Sequence, residues 1–230
     1  MSEANETLIA SAVVLPEMSA LPMIRHNTAT AYAKRLIDLC LSLTAIVLLA
    51  PLFVVIAIAV ANDGGPVFYR QYRLGRHATW FRCIKFRTMV QNADEILREL
   101  LVQDPQALLE WRAAFKLKRD PRITRCGSFL RKTSLDELPQ LFNVFFGQMS
   151  LVGPRPIVAA EVVRYGRDIM HYYRCRPGIT GPWQVSGRND TSYSTRVRMD
   201  VTYAQRVSVW TDISIMLRTM KVVVGCTGAY

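Results

Sequence analysis

A chain of 230 residues, half of them hydrophobic and with a net charge of +11, has room for one domain with an appendage and a real core. Basicity joined to hydrophobicity points to an anionic membrane surface or a phosphate-rich substrate, with nucleic acid as the rival. The five cysteines, scattered from Cys40 to Cys226 without paired spacing, argue against a zinc site and a disulfide framework and suit a reducing compartment.

Residues 1–30 show no periodicity and are expected to form a loosely ordered arm; their early acids and late apolar run do not resemble a cleavable signal. Residues 31–63 are expected to enter the membrane. No charge interrupts positions 40–61, about 22 residues, enough to reach into the hydrocarbon core. Arg25, Lys34 and Arg35 precede that run and Arg70, Arg73, Arg76 and Arg82 follow it, so both flanks favour the cytoplasmic side. Pro51, near the middle, removes a backbone hydrogen bond to Val47. A kinked spanning helix and a re-entrant hairpin both fit, and the paired flanks favour re-entry. Asn62-Asp63-Gly64-Gly65-Pro66 closes the insertion with turn chemistry, leaving residues 64–230 as the main domain.

Short strands are predicted over 67–72 and 80–89, joined by a turn at Gly75. Lys85 and Arg87 share one face of the second, either solvated or receiving a diphosphate. Residues 93–116 read as one or two amphipathic helices interrupted at Asp104-Pro105. In that stretch Asp94-Glu95 is an acidic pair with Arg98 placed for an ordinary surface ion pair. Residues 116–125 are basic and proline-broken, fitting a loop at a lipid headgroup surface.

A second acidic pair stands in Arg131-Lys132-Thr133-Ser134-Leu135-Asp136-Glu137-Leu138-Pro139-Gln140. Pro139 fits the first turn of a helix that starts near Asp136, with Leu138, Leu141, Phe142, Phe145 and Met149 at helical spacing. Orphan amides and the helix dipole would keep Asp136 ionised. It then either caps the helix, with Glu137 facing water, or serves as a nucleophile or metal ligand. Downstream, Gly153-Pro154-Arg155-Pro156 and Arg176-Pro177-Gly178-Ile179-Thr180-Gly181 combine stiff turns, close backbone approach and planar cations. A strand is predicted at 183–185, a turn at 188–190 and a helix over 191–209. Thr211 is expected to cap a last helix whose stripe of Ile213, Met216, Leu217, Met220 and Val224 packs in the core or lies at an interface. His26, His77 and His171 are too scattered for a triad or a metal.

In this order, the proline-broken segment around Pro51, Lys85-Phe86-Arg87-Thr88-Met89, the Asp136-Glu137 motif and the two arginine loops resemble the bacterial sugar transferases, the monotopic phosphoglycosyl transferases. The likeness runs from about Lys34 to the C-terminus, as in a short exopolysaccharide-type member. It implies a largely helical α/β-type domain on a re-entrant helix hairpin, with interfacial amphipathic helices, at the cytoplasmic face of a bacterial inner membrane. It implies Asp136 as nucleophile and magnesium ligand, Glu137 as its dyad partner, and Lys85, Arg87, Arg131, Arg155 and Arg176 as phosphate or nucleotide contacts. The implied partners are Mg2+, a UDP-sugar and undecaprenyl phosphate, with downstream glycosyltransferases and room for a homo-oligomer. The Gly228-Ala229-Tyr230 ending is similar to members that start with galactose or glucose. A non-catalytic adaptor on anionic lipid and a nucleic-acid binder are the alternatives; the apolar segment argues against the latter.

Overall fold

The computed structural model describes residues 28–114, 117, 119–186 and 191–224. Most of the expected arm, Lys116 and Lys118 of the basic loop, the turn at 188–190 and the C-terminal Gly228-Ala229-Tyr230 lie outside the described residues. The fold is largely helical α/β. Its elements are α1 (Thr28–Leu48), α2 (Ala50–Ala61), β1 (Phe68–Leu74), β2 (Trp80–Phe86), α3 (Ala93–Gln103), α4 (Pro105–Ala114) and α5 (Arg125–Thr133), then a 3-10 turn (Leu135–Glu137). They continue as α6 (Gln140–Phe145), β3 (Ser150–Val152), α7 (Val162–Tyr165), α8 (Ile169–Tyr173), β4 (Gly178–Thr180), α9 (Tyr193–Gln205) and α10 (Val209–Val224).

Several boundaries follow from local chemistry. The Asp104 carboxylate accepts from the amides of Gln106 and Ala107, and Pro105 takes the first position of α4, where a missing N–H costs nothing. α1 begins at Thr28, inside the expected arm, and the apolar run breaks at Leu49 rather than at Pro51, which sits in the first turn of α2. Together α1 and α2 form a pair bent by 62°. Among the described residues no single helix is long and apolar enough to cross a membrane; the bent pair has the form of a broken span or a re-entrant loop.

The packing divides into two compact units. One is built from residues 28–50, 70–84 and 139–224, the other from 51–69 and 85–138. In the first, buried Leu74, Ile157, Tyr165, Tyr172 and Val197 form one cluster, and Val152, Tyr203, Ala204 and Ile215 form another. The charged residues of α1 are structural there. Lys34 Nζ donates to Val152 O (2.9 Å) and pairs with Asp212, while Arg35 donates to Val144 O (2.7 Å) and Phe145 O (2.8 Å) at the end of α6. Buried Asp38 accepts from the Leu151 amide at 2.9 Å. Two cations that sequence reads as a topological flank are therefore held by the protein's own acceptors.

β3 and β4 pair in parallel, Ser150 with Gly178 and Val152 with Thr180. A Cβ on Gly178 would fall 2.1 Å from Gly153 N, so the glycines of the two arginine loops serve the approach of one backbone to the other. The strand predicted at 183–185 is instead a turn over 182–186, with Trp183 buried under the guanidinium groups of Arg196 (4.5 Å) and Arg155 (5.8 Å). Ser208, not Thr211, caps α10: its hydroxyl accepts from the Thr211 amide at 3.1 Å. Of the expected stripe, Ile213 and Met216 are half-buried while Leu217 and Met220 are exposed, and the apolar residue that α10 buries among the described residues is Ile215, outside the stripe.

The second unit packs around Ile56, Val60, Phe86 and Leu130, with Leu135 and Leu138 against them. This core fixes the end of β2 to α5 and to the 3-10 turn that follows it.

Candidate active site

Asp136 does not begin an α-helix. α5 is capped at its start by Thr124, whose hydroxyl accepts from the Gly127 amide, and at its end by Ser134 in the left-handed region (φ 58°). That single residue turns the chain, so Leu135–Glu137 forms a separate 3-10 turn, and α6 starts only after Pro139. Met149, expected on the same helix, lies beyond its end as a buried residue. Leu135 and Leu138 hold the turn against the core, which buries Asp136 between them.

Lys85, at the end of β2, faces the acidic pair. Its Nζ lies 2.6 Å from Glu137 Oε1 but 3.9 Å from Asp136 Oδ2. Glu137 thus takes the short, charge-assisted contact, and Asp136 feels the same cation without a direct hydrogen bond from it. The α-helix N-terminus expected to hold the Asp136 carboxyl low is absent. Burial pushes its carboxyl up to about 6, against the pull of Lys85, with Glu137 raising it further and Arg131 lowering it.

Arg131 approaches from the last turn of α5. Its Nε donates to Thr88 Oγ1 at 2.9 Å, which orients the guanidinium while the side chain remains half-buried. Burial lowers its pKa, and Asp136 and Asp120 oppose that shift. Thr88 was not legible as a site residue; only its place in the Lys85–Met89 motif pointed to it. Arg87 lies next to Thr88 but turns to Asp63, with its Nη1 2.7 Å from Oδ2.

The structure thus gathers Lys85, Arg131, Asp136 and Glu137 in one unit. Arg155 and Arg176 belong to the other. There Arg155 is exposed over Trp183, and Arg176 Nε donates to Gly147 O at 2.9 Å. His77, Arg76 and Arg176 lie close enough that burial, then the two arginines, lowers the histidine pKa.

The arrangement offers a buried carboxylate, a second carboxylate paired with lysine, and an arginine near enough to act electrostatically on the first. It suits chemistry on a phosphorylated substrate. The sequence matches the bacterial sugar transferase family over residues 29–226. It is 51% identical over 210 residues to the undecaprenyl-phosphate galactose phosphotransferase of Salmonella typhimurium, covering 90% of this chain and 44% of that protein. It is 48% identical over 199 residues to the exopolysaccharide production protein ExoY of Rhizobium meliloti, covering 86% of this chain and 88% of that one. The UDP-glucose:undecaprenyl-phosphate glucose-1-phosphate transferase of Xanthomonas campestris is 42% identical, covering 86% of this chain and 40% of that protein. The chain thus spans less than half the length of two of these relatives and most of ExoY. With the family match running through both units and the acidic dyad, the chain belongs to the bacterial sugar transferases.

Proposed function

We propose that the chain transfers a hexose 1-phosphate from a UDP-sugar to undecaprenyl phosphate, releasing UMP, through a covalent aspartyl sugar phosphate. One observation carries the assignment of roles: Lys85 is shared unequally, 2.6 Å from Glu137 and 3.9 Å from Asp136. Glu137 is tied to the lysine, while Asp136 keeps an oxygen for a new bond. A carboxyl that titrates near 6 is still mostly ionised at neutral pH, and it is more basic than an ordinary carboxylate.

An Asp136 oxygen forms a bond to the sugar-bearing phosphorus, and the bond from that phosphorus to UMP breaks, its electron pair leaving on UMP. An oxygen of undecaprenyl phosphate then attacks the same phosphorus and Asp136 departs as carboxylate. Lys85 and Arg131 offset the negative charge gathered at the phosphorus. Splitting the reaction keeps two anionic substrates from meeting at once. Names of the relatives favour galactose or glucose as the sugar, and the name of ExoY supports a role in exopolysaccharide production.

Magnesium fits the donor set. It is bound by one or two carboxylates with substrate phosphates, so Asp136 beside Glu137 needs no third protein ligand. Among the described residues no group of three or more candidate ligands occurs. Asp136 would hold the ion, which when bound would neutralise diphosphate charge. For the membrane, exposed Leu43, Val47, Leu48, Val54 and Ile58 on the bent helices support re-entry into the inner leaflet. Exposed Trp210, Leu217 and Met220, beside Arg218 and Lys221, suit an interfacial α10 under a cytoplasmic domain.

Incubating the purified protein with Mg2+, undecaprenyl phosphate and a panel of UDP-sugars tests the reading. UMP release with a lipid diphosphate sugar is expected, and a sugar phosphate mass on Asp136 when the lipid is omitted. Product without any protein adduct would overturn the covalent route.

A further inference from the structure

Arg87 spends its guanidinium inside the protein. Nε donates to Pro66 O (2.7 Å), Nη1 to Asp63 Oδ2 (2.7 Å) and Met89 O (3.4 Å), and Nη2 to Val60 O (3.0 Å) and Asp63 Oδ1. All three nitrogens are engaged, and the residue is 8% exposed. Val60 stands in the last turn of α2, where carbonyls lack a partner within the helix. Asp63 and Pro66 lie in the turn that follows. Gly65 passes so close that a Cβ there would stand 2.7 Å from Arg87 Cζ. The hydrogen bond from Arg87, then the Gly65 amide, holds the Asp63 carboxyl down to about 2, so the pair stays ionic at working pH.

The residues on either side of Arg87 belong to the site. Lys85 pairs with Glu137, and Thr88 orients Arg131. We propose that Asp63 and Arg87 form a clamp that ties the exit of α2 to the Lys85–Thr88 segment, making Arg87 a positioning residue rather than a phosphate ligand. A phosphate contact requires a guanidinium N–H free to point at the ligand, and each nitrogen here already serves an internal acceptor. Removing either partner leaves the α2 exit and the strand end free to shift, and ångström-scale misplacement of Lys85 and Arg131 slows turnover. Asp63 thereby becomes a residue of functional weight with no contact to substrate.

The activity readout rests on the proposed transferase reaction, so hydrogen–deuterium exchange over residues 60–69 accompanies it. Asp63→Asn, Arg87→Lys, Arg87→Ala and the double variant Asp63→Asn/Arg87→Ala are compared as purified full chains. Each single variant is expected to lower kcat about tenfold or more, with KM for the UDP-sugar moving less than about threefold. The double variant should be no slower than the slower single, because both break one interaction. Lysine should not rescue, since it lacks the planar fork. Exchange over 60–69 should rise in all four. A large KM increase in Arg87→Ala beside a near-normal Asp63→Asn would overturn the clamp and make Arg87 a ligand; additive losses would overturn it too. Should Arg87→Ala fail to fold, Asp63→Asn decides, its side chain being 41% exposed. Wild type that releases no UMP from any UDP-sugar would sink the transferase reading, not the clamp. Exchange over 60–69 unchanged by Asp63→Asn would sink the clamp.

Discussion

The chain contains the same acidic dipeptide twice, and the two copies have different chemistry. Asp94-Glu95 lies in the first turn of α3, exposed; among the described residues no ion pair reaches it, not even from Arg98. Asp136-Glu137 lies in a 3-10 turn pressed onto Leu135, Leu138 and the core, with Lys85 on one carboxylate and near the other. Residue type does not separate them. What separates them is desolvation, supplied by apolar neighbours, and the cations brought in from β2 and α5. The functional contrast between the pairs is therefore one of packing, and substitutions can break it.

The largest effect is expected at Asp136. Asp136→Asn keeps the size but removes the attacking anion, and UMP release should fall about a thousandfold or more, with the protein adduct lost. Asp94→Asn should stay within about twofold of wild type, as an exposed first-turn residue. Robust turnover by Asp136→Asn, or an adduct on Glu137, would put the nucleophile on the wrong carboxylate. Glu137→Gln should come next. It frees Lys85 to approach Asp136, so turnover should drop about ten- to a hundredfold while an adduct still forms on Asp136. A complete loss of the adduct would assign Glu137 to the first step.

Arg131→Ala should follow, slowing turnover about tenfold or more while membrane association barely changes, because one cation among many adds little to surface attraction. Arg98→Ala is its matched control on α3. If Arg131→Ala weakens only membrane binding, the residue serves the surface. Thr88→Val should reproduce part of the loss, since it removes the hydroxyl that orients Arg131.

How much of this was legible in the sequence differs from residue to residue. The Asp136-Glu137 motif and the order of the loops around it were readable because short local spacing encodes them. So was the break at Asp104-Pro105. The partner of Arg87 was not: Asp63 lies 24 positions away, in a turn whose sequence reports only its own bend. The shift at Asp136 was misread because a left-handed Ser134 interrupts the helix, replacing the expected dipole with burial. Trp183 has strand propensity, yet two arginines stack over it in a turn.

If burial is what sets the two acidic pairs apart, another buried carboxylate should shift in the same direction even without cations. Asp200 on α9 provides that case. It is 1% exposed, one oxygen accepts from Tyr165 Oη at 2.8 Å, and the other has no partner among the described residues. Burial pushes its carboxyl up to about 7, with the Tyr165 bond opposing. The folded pKa lies above the unfolded one near 3.9, so the folded state holds the proton more tightly. Stability from this group is therefore full below about pH 4 and is lost as pH rises toward 7. One such group can tilt the stability curve by at most about 1.4 kcal/mol per pH unit in that window. Asp200→Asn, neutral at every pH, should flatten the fall in Tm between about pH 4 and 7 and leave the protein no less stable at pH 8. Thermal unfolding of both proteins across that range checks it. An unchanged slope would mean that Asp200 stays ionised despite burial, and that desolvation alone does not explain the contrast between the acidic pairs.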